Sequence, residues 1–336
     1  MMERLDHFMA RANAVYYATR DPFRDFTTAP EISQVFGEIL GLWAAVTWDL
    51  LGRPDPVLLV EAGPGRGTLM ADALRAIARA APEFRSAVRL HLIETSPRLR
   101  AIQAERLPDA MWHDGLDTLP DVPMVMLANE FLDALPIRQF VRRDGRWFER
   151  FVDGGRFLEC AMTPTPTLPH FAGEGWGGGE AIVAELGESA IALAGSLGTR
   201  LATRPGAALF LDYGPEHSAP GDSLQALREG HPADPFSDPG TADLTAHVDF
   251  AAFAAAARAA GTTTHGPLPQ GMFLARLGLF QRTDRLARTQ PPARAAGLIE
   301  AARRLAEPNR MGRLFKVLAV CQPSCPIPPG FEADSP

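Results

Sequence analysis

The N-terminal part of the chain repeats apolar side chains at the spacing of an α-helix. One such pattern runs over residues 3–17, and a second, broader one runs over residues 36–50. Asp21 and Pro22 separate them, because proline and the residue before it both disfavour a continuing helix. We therefore predict that residues 1–52 form an N-terminal helical segment that packs on the domain that follows.

Beyond this segment, short apolar runs alternate with helical patterns. Predicted strands cover residues 57–60, 88–93, 122–128, 207–211 and 314–320, and predicted helices cover residues 68–80 and 97–107. Ser96 is a favourable N-cap for the second of these helices, and Pro97 suits its first turn. The alternation predicts a doubly wound α/β sheet, whose ligands bind beyond the carboxyl ends of the strands.

Three segments interrupt the alternation. Asp144 and Gly145 join two short strand patterns, which indicates a β-hairpin. Residues 164–179 are rich in proline and glycine and are predicted to be a surface loop with no catalytic role. Residues 214–310 are mostly helical in pattern and are predicted to form a cap or substrate-side insertion. The α/β domain would then comprise residues 53–213 and 311–322.

The most informative motif is a turn that follows the first predicted strand. It contains a carboxylate and three alternate glycines, namely Glu61, Gly63, Gly65 and Gly67. Glycine has no Cβ, so it accepts positive φ and allows a ligand to lie against the main chain, while the helix that follows begins with unpaired N–H groups. The turn is expected to hold a nucleotide-like molecule; the alternative is a glycine turn that only closes a βα unit.

The acidic residues indicate which nucleotide this is. A dinucleotide-binding turn has its third glycine where this chain has Thr68, and an acid about 20 residues further on. Here the next acid at a strand end, Glu94, comes considerably later. The arrangement resembles the first motif of class I S-adenosylmethionine (SAM) methyltransferases. The resemblance implies that the glycines lie under the amino-acid part of SAM, that Glu94 binds the ribose hydroxyls and that Asp114 lies near the adenine; a solvated turn is the alternative for Asp114.

Composition limits the classes of partner. The 336-residue chain has a formal net charge of −7, whereas a broad nucleic-acid footprint needs a basic face. No apolar run reaches the length of about 18 residues that a membrane span needs, and the N-terminus does not resemble a secretory signal. The three cysteines are too scattered for a disulfide framework, and they lack the nearby histidines of a metal site. We expect a cytoplasmic protein with reduced thiols, no membrane span and no metal.

Candidate catalytic residues follow the most apolar predicted strand. Asn129, Glu130 and Asp133 would emerge beside the methyl group of a SAM molecule seated on the glycine turn. Two carboxylates suit a cationic substrate, and the planar guanidinium of arginine pairs with them in a fixed geometry that would orient one nitrogen towards the methyl group. The alternative is that Glu130 and Asp133 cap a helix start and never contact substrate.

Two further side chains are weaker candidates. Asp212 ends another predicted strand and is a candidate for the substrate side. His247 could act as a base, although a structural hydrogen bond at a helix start is the more ordinary role for such a histidine.

Several segments together resemble the MidA family, the bacterial relatives of a mitochondrial complex I assembly methyltransferase. The matching segments cover residues 25–33, 36–38, 61–67, 129–136, 212–214, 243–250 and 270–271. The resemblance implies a SAM-dependent methyltransferase whose mitochondrial relative modifies an arginine of a complex I subunit. It also implies that Thr28, Pro30 and Glu31 form part of the cofactor or substrate entrance. The part before residue 25 looks short for the family, and residues 164–179 look inserted.

We therefore predict a class I, Rossmann-like α/β methyltransferase that transfers a methyl group from SAM to an arginine of a protein substrate, a subunit of respiratory complex I. One alternative is a non-catalytic assembly factor that binds SAM and chaperones a respiratory subunit. A second is a NAD-dependent oxidoreductase, which Thr68 and the late position of Glu94 disfavour. The sequence leaves the oligomeric state open.

Overall fold

A computed structural model describes residues 2–20, 27–162 and 182–332. The strands, in chain order, are β1 (Glu3–Arg4), β2 (Val57–Ala62), β3 (Val88–Ile93), β4 (Met111–His113), β5 (Met124–Asn129), β6 (Arg138–Arg143), β7 (Arg146–Asp153), β8 (Arg156–Ala161), β9 (Ile182–Leu186), β10 (Gly206–Tyr213), β11 (Gln225–Arg228), β12 (His231–Pro232), β13 (Asp243–Thr245), β14 (Thr263–Pro269) and β15 (Phe315–Cys321). The helices are α1 (Leu5–Thr19), α2 (Ala29–Ile32), α3 (Gln34–Leu50), α4 (Thr68–Ala80), α5 (Pro82–Ala87), α6 (Pro97–Arg106), α7 (Glu188–Thr203), α8 (Phe250–Ala259), α9 (Gln270–Arg276), α10 (Leu279–Ala287), α11 (Pro292–Ala306) and α12 (Met311–Leu314). The predicted loop at 164–179 lies outside the described residues.

The central sheet has the strand order β14-β15-β10-β5-β2-β3-β4. Strands β4, β3, β2, β5 and β10 run parallel to one another, whereas β15 runs antiparallel to both β10 and β14. This confirms the predicted doubly wound sheet. The strand order reverses between β2 and β5, and ligands of such sheets bind at that switch point beyond the carboxyl ends of the strands.

Helices cover both faces of this sheet. Strands β2, β5 and β15 are buried along their whole length. Successive side chains point to opposite faces of a strand, so Leu59 belongs to the apolar cluster with α3 and α4, while Val60 belongs to the cluster with α7 and α8. This double coverage explains why the strands are nearly continuous apolar runs, as parallel sheets require.

Local signals in the sequence set several element boundaries. The hydroxyl of Ser96 accepts the N–H of Leu99 and caps α6, as predicted. Asp144 and Gly145 both adopt positive φ, 50° and 75°, between the antiparallel strands β6 and β7. Two successive residues of positive φ are the signature of the tight hairpin turn that matches the twist of the strands. The predicted hairpin is therefore confirmed, and it belongs to a separate five-stranded sheet.

Residues 214–310 differ from the helical cap that the pattern suggests. They include β14, which is an edge strand of the central sheet, and a small sheet of β11, β12 and β13. Gly266, Pro267 and Pro269 hide the strand pattern of β14, and its register with β15 shifts between His265 and Leu268. Proline is tolerated at a sheet edge, where an N–H is not needed for pairing. The segment is therefore integrated into the sheet.

Among the residues that the structure describes, no helix is both long enough and apolar enough to cross a bilayer.

Candidate active site

A cavity of about 620 Å³ lies at the switch point of the central sheet. Its wall is formed by the residues that follow β2, β3 and β5, together with α1 and the start of α2. The predicted site residues that line it are Thr28, Pro30, Glu31, Glu61, Gly63, Gly65, Glu94, Asp114, Asn129 and Glu130. Gly67 and Asp133 lie behind this wall. The fold thus brings together almost all of the residues singled out from the sequence.

The three glycines of the turn have φ values of +66°, +54° and +72°, a conformation that other residues adopt only at a cost. A Cβ on Gly63 would lie 3.0 Å from the ring of Phe131, and a Cβ on Gly67 would lie 3.0 Å from Leu107. Gly67 therefore allows α4 to begin close to α6, whereas Gly63 and Gly65 present main chain to the cavity.

Two buried acceptors on the cavity wall lack a protein partner. Oε2 of Glu61 and Oδ1 of Asn129 have no hydrogen-bond partner among the described residues. Glu61 is 3% exposed, and its burial raises its pKa well above the usual range, although the N–H of Met70 donates to it. Such acceptors fit a ligand that brings its own donors, for example the ammonium group of an amino acid.

Glu94 is held rigidly at the end of β3. One carboxylate oxygen accepts the N–H of Ser96 at 2.8 Å, and the other accepts Nε2 of Gln103 at 3.3 Å. Burial raises the pKa of Glu94. Asp114 follows the neighbouring strand β4, but its side chain is 79% exposed and pairs with Arg100 at 2.6 Å. Glu94 is the fixed acid of this wall, and Asp114 lies at its rim.

The short helix α2 links the cofactor turn to the predicted catalytic residues. Glu31 accepts the hydroxyl of Thr68 at 2.5 Å, which joins α2 to the first turn of α4. The N–H of Ala29 donates to Oε1 of Glu130 at 3.2 Å. Asp25 and Phe26, which also belong to this segment of the resemblance, lie outside the described residues.

Glu130 has the most unusual surroundings of the candidate residues. Its φ of +51° lies in the left-handed region, which is uncommon outside glycine. Its Oε1 also accepts the side-chain amide of Asn129 at 3.0 Å. Burial, followed by the charge of nearby Asp133, raises the pKa of Glu130 to about 7. The carboxyl group can therefore bind or release a proton near neutral pH.

Asp133 and Asp212 lie behind Glu130. Burial raises the pKa of Asp133 to about 6, while the hydroxyl of Tyr213 donates to its carboxylate and opposes that rise. Oδ2 of Asp212 accepts the N–H groups of Phe131, Leu132 and Asp133 at 2.8–3.3 Å. Because this carboxylate is occupied by backbone, Asp212 holds the loop after β5 and does not face the cavity.

His247 does not line the glycine cavity. Its side chain is exposed and lines a second cavity of about 870 Å³. Its ring packs edge-on against the ring of Tyr213, with 5.7 Å between the ring centroids. Its backbone N–H donates to the hydroxyl of Ser223. The role of the His247 side chain as a base or as a structural residue stays a prediction.

Sequence reasoning missed two polar residues of α1 that line the cavity. Tyr17 lines the cavity and donates its hydroxyl to Asp243 at 2.8 Å. Asn13 donates to the carbonyl oxygens of Ala134 and Leu244. The sequence contains one signal that could have identified Asn13. It follows Met9 by four residues in α1, which places a polar side chain on the apolar face of that helix.

The chain matches the model of a family described as "Putative S-adenosyl-L-methionine-dependent methyltransferase" over residues 39–268. It is 32% identical to the Drosophila melanogaster protein named "Protein arginine methyltransferase NDUFAF7 homolog, mitochondrial", over 95% of this chain and 80% of that protein. It is 31% identical to the human "Protein arginine methyltransferase NDUFAF7, mitochondrial", over 91% of this chain and 76% of that protein.

Solved structures agree with these relatives. A likely methyl transferase of the COG1565 superfamily from Burkholderia thailandensis, bound to S-adenosyl-homocysteine, superposes with a TM-score of 0.80 and 26% identity, over 99% of this chain and 91% of the other. A native COG1565 structure from the same organism gives a TM-score of 0.82 and 28% identity, over the same shares of both chains. The predicted fold class and the predicted SAM cofactor are thereby confirmed.

The prediction of a cytoplasmic location is wrong. The curated relatives are named as mitochondrial proteins, which points to mitochondria and away from the cytoplasm. The prediction depended on cysteine usage, and all three cysteines are free in the structure. Free thiols persist in any reducing compartment, so they could not distinguish one compartment from the other.

The family match covers the glycine turn and the parallel strands of the central sheet, and the structural neighbours superpose on almost the whole chain. The chain therefore belongs to this family of S-adenosyl-L-methionine-dependent methyltransferases, and SAM is its cofactor.

Proposed function

We propose that this methyltransferase modifies an arginine of a protein substrate, and that the substrate is a subunit of respiratory complex I. The arginine is supported by the names of the curated relatives and by the carboxylates next to the cavity. The complex I subunit is supported by the resemblance to the MidA family alone. The observation that carries the proposal is the partly buried Glu130 carboxyl group on the wall of the cofactor cavity.

The cavity residues divide between the parts of the cofactor. Gly63 and Gly65 would lie under the methionine part, where the free oxygen of Glu61 would accept its ammonium group. Gly67 would set the start of α4 in the position that this turn needs. Glu94 would accept the ribose hydroxyls, and Asp114 would lie near the adenine. SAM supplies an electrophilic methyl group when bound.

Glu130 and Asp133 would act on the guanidinium. One Glu130 oxygen is occupied by Ala29 and Asn129, so the other oxygen is the one that would bind a guanidinium N–H. A positive guanidinium nearby would favour the ionised form of both carboxyl groups, because opposite charges lower the pKa of an acid. Once a nitrogen carries the new methyl group, one proton must leave it, and the ionised carboxylate of Glu130 is suited to accept that proton.

Two substitutions test this division of roles. Gly65→Val would place a β-branched side chain in a turn that needs a φ of +54°, so we expect SAM binding to be lost. Glu130→Gln keeps the shape of the side chain, so we expect SAM binding to be retained and methyl transfer to fall at least about 100-fold, as for loss of a general base. Calorimetry with SAM and a radioactive methyl-transfer assay measure the two properties separately. Equal loss of SAM binding in both variants would contradict the assignment.

The same assay tests the alternative of a non-catalytic assembly factor. Such a protein would bind SAM without transferring a methyl group to any complex I subunit, whereas the proposal predicts methylarginine in one of them. Glu149→Gln is a suitable control for Glu130→Gln, because Glu149 is also a buried glutamate but pairs with Arg138 in the five-stranded sheet, away from the cavity.

A further inference from the structure

The side chain of Gln103 lies behind the cavity wall, between the glycine turn and Glu94. It projects from α6 and is fully buried. Its Nε2 donates to the carbonyl oxygen of Gly65 at 2.8 Å and to Oε2 of Glu94 at 3.3 Å. Its Oε1 accepts Nε1–H of Trp112 at 2.8 Å. One buried amide thus connects two separate parts of the cofactor cavity.

Only one orientation of this amide satisfies its partners. In the reversed orientation, the amide oxygen would face two other acceptors, the Gly65 carbonyl and the Glu94 carboxylate, and the amide N–H groups would face the indole N–H of Trp112. Buried acceptors and donors left without partners destabilise a structure by about 1–3 kcal/mol each. The indole therefore fixes the amide, and the amide fixes both cavity groups.

We propose that Gln103 is a positioning residue for SAM binding, because it sets the orientation of the glycine turn relative to the carboxylate of Glu94. The inference rests on the proposed function of these two groups, which would hold the methionine part and the ribose. A site whose groups are already held in the bound geometry binds more tightly, since less ordering is needed on binding.

The first test is Gln103→Leu, which keeps a similar volume but removes the three hydrogen bonds. We expect the affinity for SAM and for S-adenosylhomocysteine to fall about tenfold or more, as for the loss of a hydrogen bond to a charged group. The rate of methyl transfer at saturating SAM is expected to change little, because Gln103 contacts none of the predicted catalytic side chains. The KM for SAM should therefore change while kcat does not.

The second test is Gln103→Glu, which keeps the shape but replaces the N–H donor by an oxygen facing Glu94. At pH 8 two carboxylates would repel each other, and we expect SAM binding to be weaker than in the Leu variant. At pH 6 the two carboxyl groups can share one proton, which restores a donor between them. Binding should then recover at least about fivefold relative to pH 8, an effect that a purely structural role would not give.

Other charged groups face this amide, and they are present in the wild type and in each variant alike. They are Arg100 and Arg106 on α6, Glu61 and Arg66 at the glycine turn, His113 on β4 and Asp114 beyond it. Wild type and Gln103→Leu, measured at both pH values, therefore serve as controls for Gln103→Glu.

Calorimetric titration with SAM at pH 6 and pH 8, together with the melting temperature of each variant, decides the question. An affinity of Gln103→Leu for SAM within twofold of the wild-type value would overturn the inference. An equal loss of SAM affinity at pH 6 and pH 8 in Gln103→Glu would also overturn it. If Gln103→Leu does not fold, Gln103→Glu and Trp112→Phe decide it, because the latter removes the indole donor to Gln103 while Gln103 itself stays in place, and it should weaken SAM binding measurably. Failure of the wild type to bind SAM would instead overturn the cofactor site itself.

Discussion

The backbone of Glu130 is the strongest single-residue indication of catalysis in this protein. A glutamate at a φ of +51° persists only when its surroundings fix it, and such strained residues are concentrated at functional sites. Here the N–H of Ala29 and the amide of Asn129 fix the side chain, and Asp212 fixes the loop that follows. This conformation directs the carboxyl group into the cavity. The backbone of a regular strand end would direct it elsewhere.

The pKa of Glu130 gives a prediction for the rate of methyl transfer. If the ionised carboxylate binds the guanidinium and accepts its proton, kcat/KM should rise as the pH increases through about 7 and then level off. The rate of each variant between pH 5.5 and 9 checks this. A wild-type rate that does not change over this range, or a Glu130→Gln variant with the same pH profile, would contradict the role of Glu130.

The same pKa predicts a gain in stability when Glu130 is replaced. The folded-state pKa of about 7 lies above the ordinary value of 4.5, so the folded protein binds more protons between these values and becomes less stable as the pH rises. Above pH 7 the cost of the buried charge is fully present. Glu130→Gln should therefore increase the free energy of unfolding by about 2–3 kcal/mol at pH 8, and by much less at pH 4.5. Urea unfolding of both proteins at pH 8 and pH 4.5 measures this difference in the free energy of unfolding. An equal difference at both pH values would refute the prediction.

At the scale of elements, the loop after β5 depends on the end of β10. These two strands are parallel neighbours, and Asp212 at the end of β10 accepts three successive N–H groups from the loop as well as the N–H of Tyr213. An unpaired buried N–H is costly, so one carboxylate holds the loop that carries Glu130 and Asp133.

We predict that Asp212→Asn lowers the free energy of unfolding by about 2 kcal/mol, because its amide N–H₂ group would face the N–H of Tyr213, and that Asp212→Ala lowers it further. Methyl transfer should fall more than SAM affinity does, since the loop carries the predicted catalytic residues. Asp121→Asn is a matched control: Asp121 is 68% exposed and pairs with Arg204 at the surface, so its loss should have little effect. Equal effects of the two Asn variants in urea unfolding would contradict the role of Asp212.

Local signals made most of this α/β domain predictable. The glycine turn, the Ser96 cap and the Asp144-Gly145 hairpin each depend on neighbouring residues, so the sequence alone indicates them. Strand β14 could not be recognised, because its glycine and prolines disguise the pattern and only pairing with β15 makes it a strand. The contribution of Gln103 was likewise hidden, because its three partners come from β4, the glycine turn and the end of β3.

At the scale of the whole molecule, residues 214–310 contribute to both sides of the central sheet. Phe273 and Leu274 are fully buried in the cluster with α3 and α4, whereas Phe250 and Phe253 are buried in the cluster with α7. Burying each such side chain contributes about 1.5–3 kcal/mol, and a whole domain is stable by only about 5–15 kcal/mol. The folded state therefore depends on this segment.

Deletion of residues 214–310 tests this dependence. Tyr213 and Phe315 lie opposite each other in the sheet, so the four residues of α12 can join β10 to β15 after the deletion. We predict that the shortened chain shows no cooperative thermal unfolding and does not bind SAM, because both faces of the sheet lose their covering side chains. A cooperative transition with wild-type SAM affinity would instead establish the segment as a dispensable cap.

The most direct test of the account is transfer of a labelled methyl group. The purified protein would be incubated with methyl-labelled SAM and isolated complex I subunits from cells that lack this enzyme, and the labelled subunit would be hydrolysed for amino-acid analysis. We predict label in methylarginine with the wild type and at least about 100-fold less with Glu130→Gln, although both bind SAM in calorimetry. SAM binding without label in any subunit, or label in another amino acid, would contradict arginine methylation, and equal labelling by both proteins would contradict the role of Glu130.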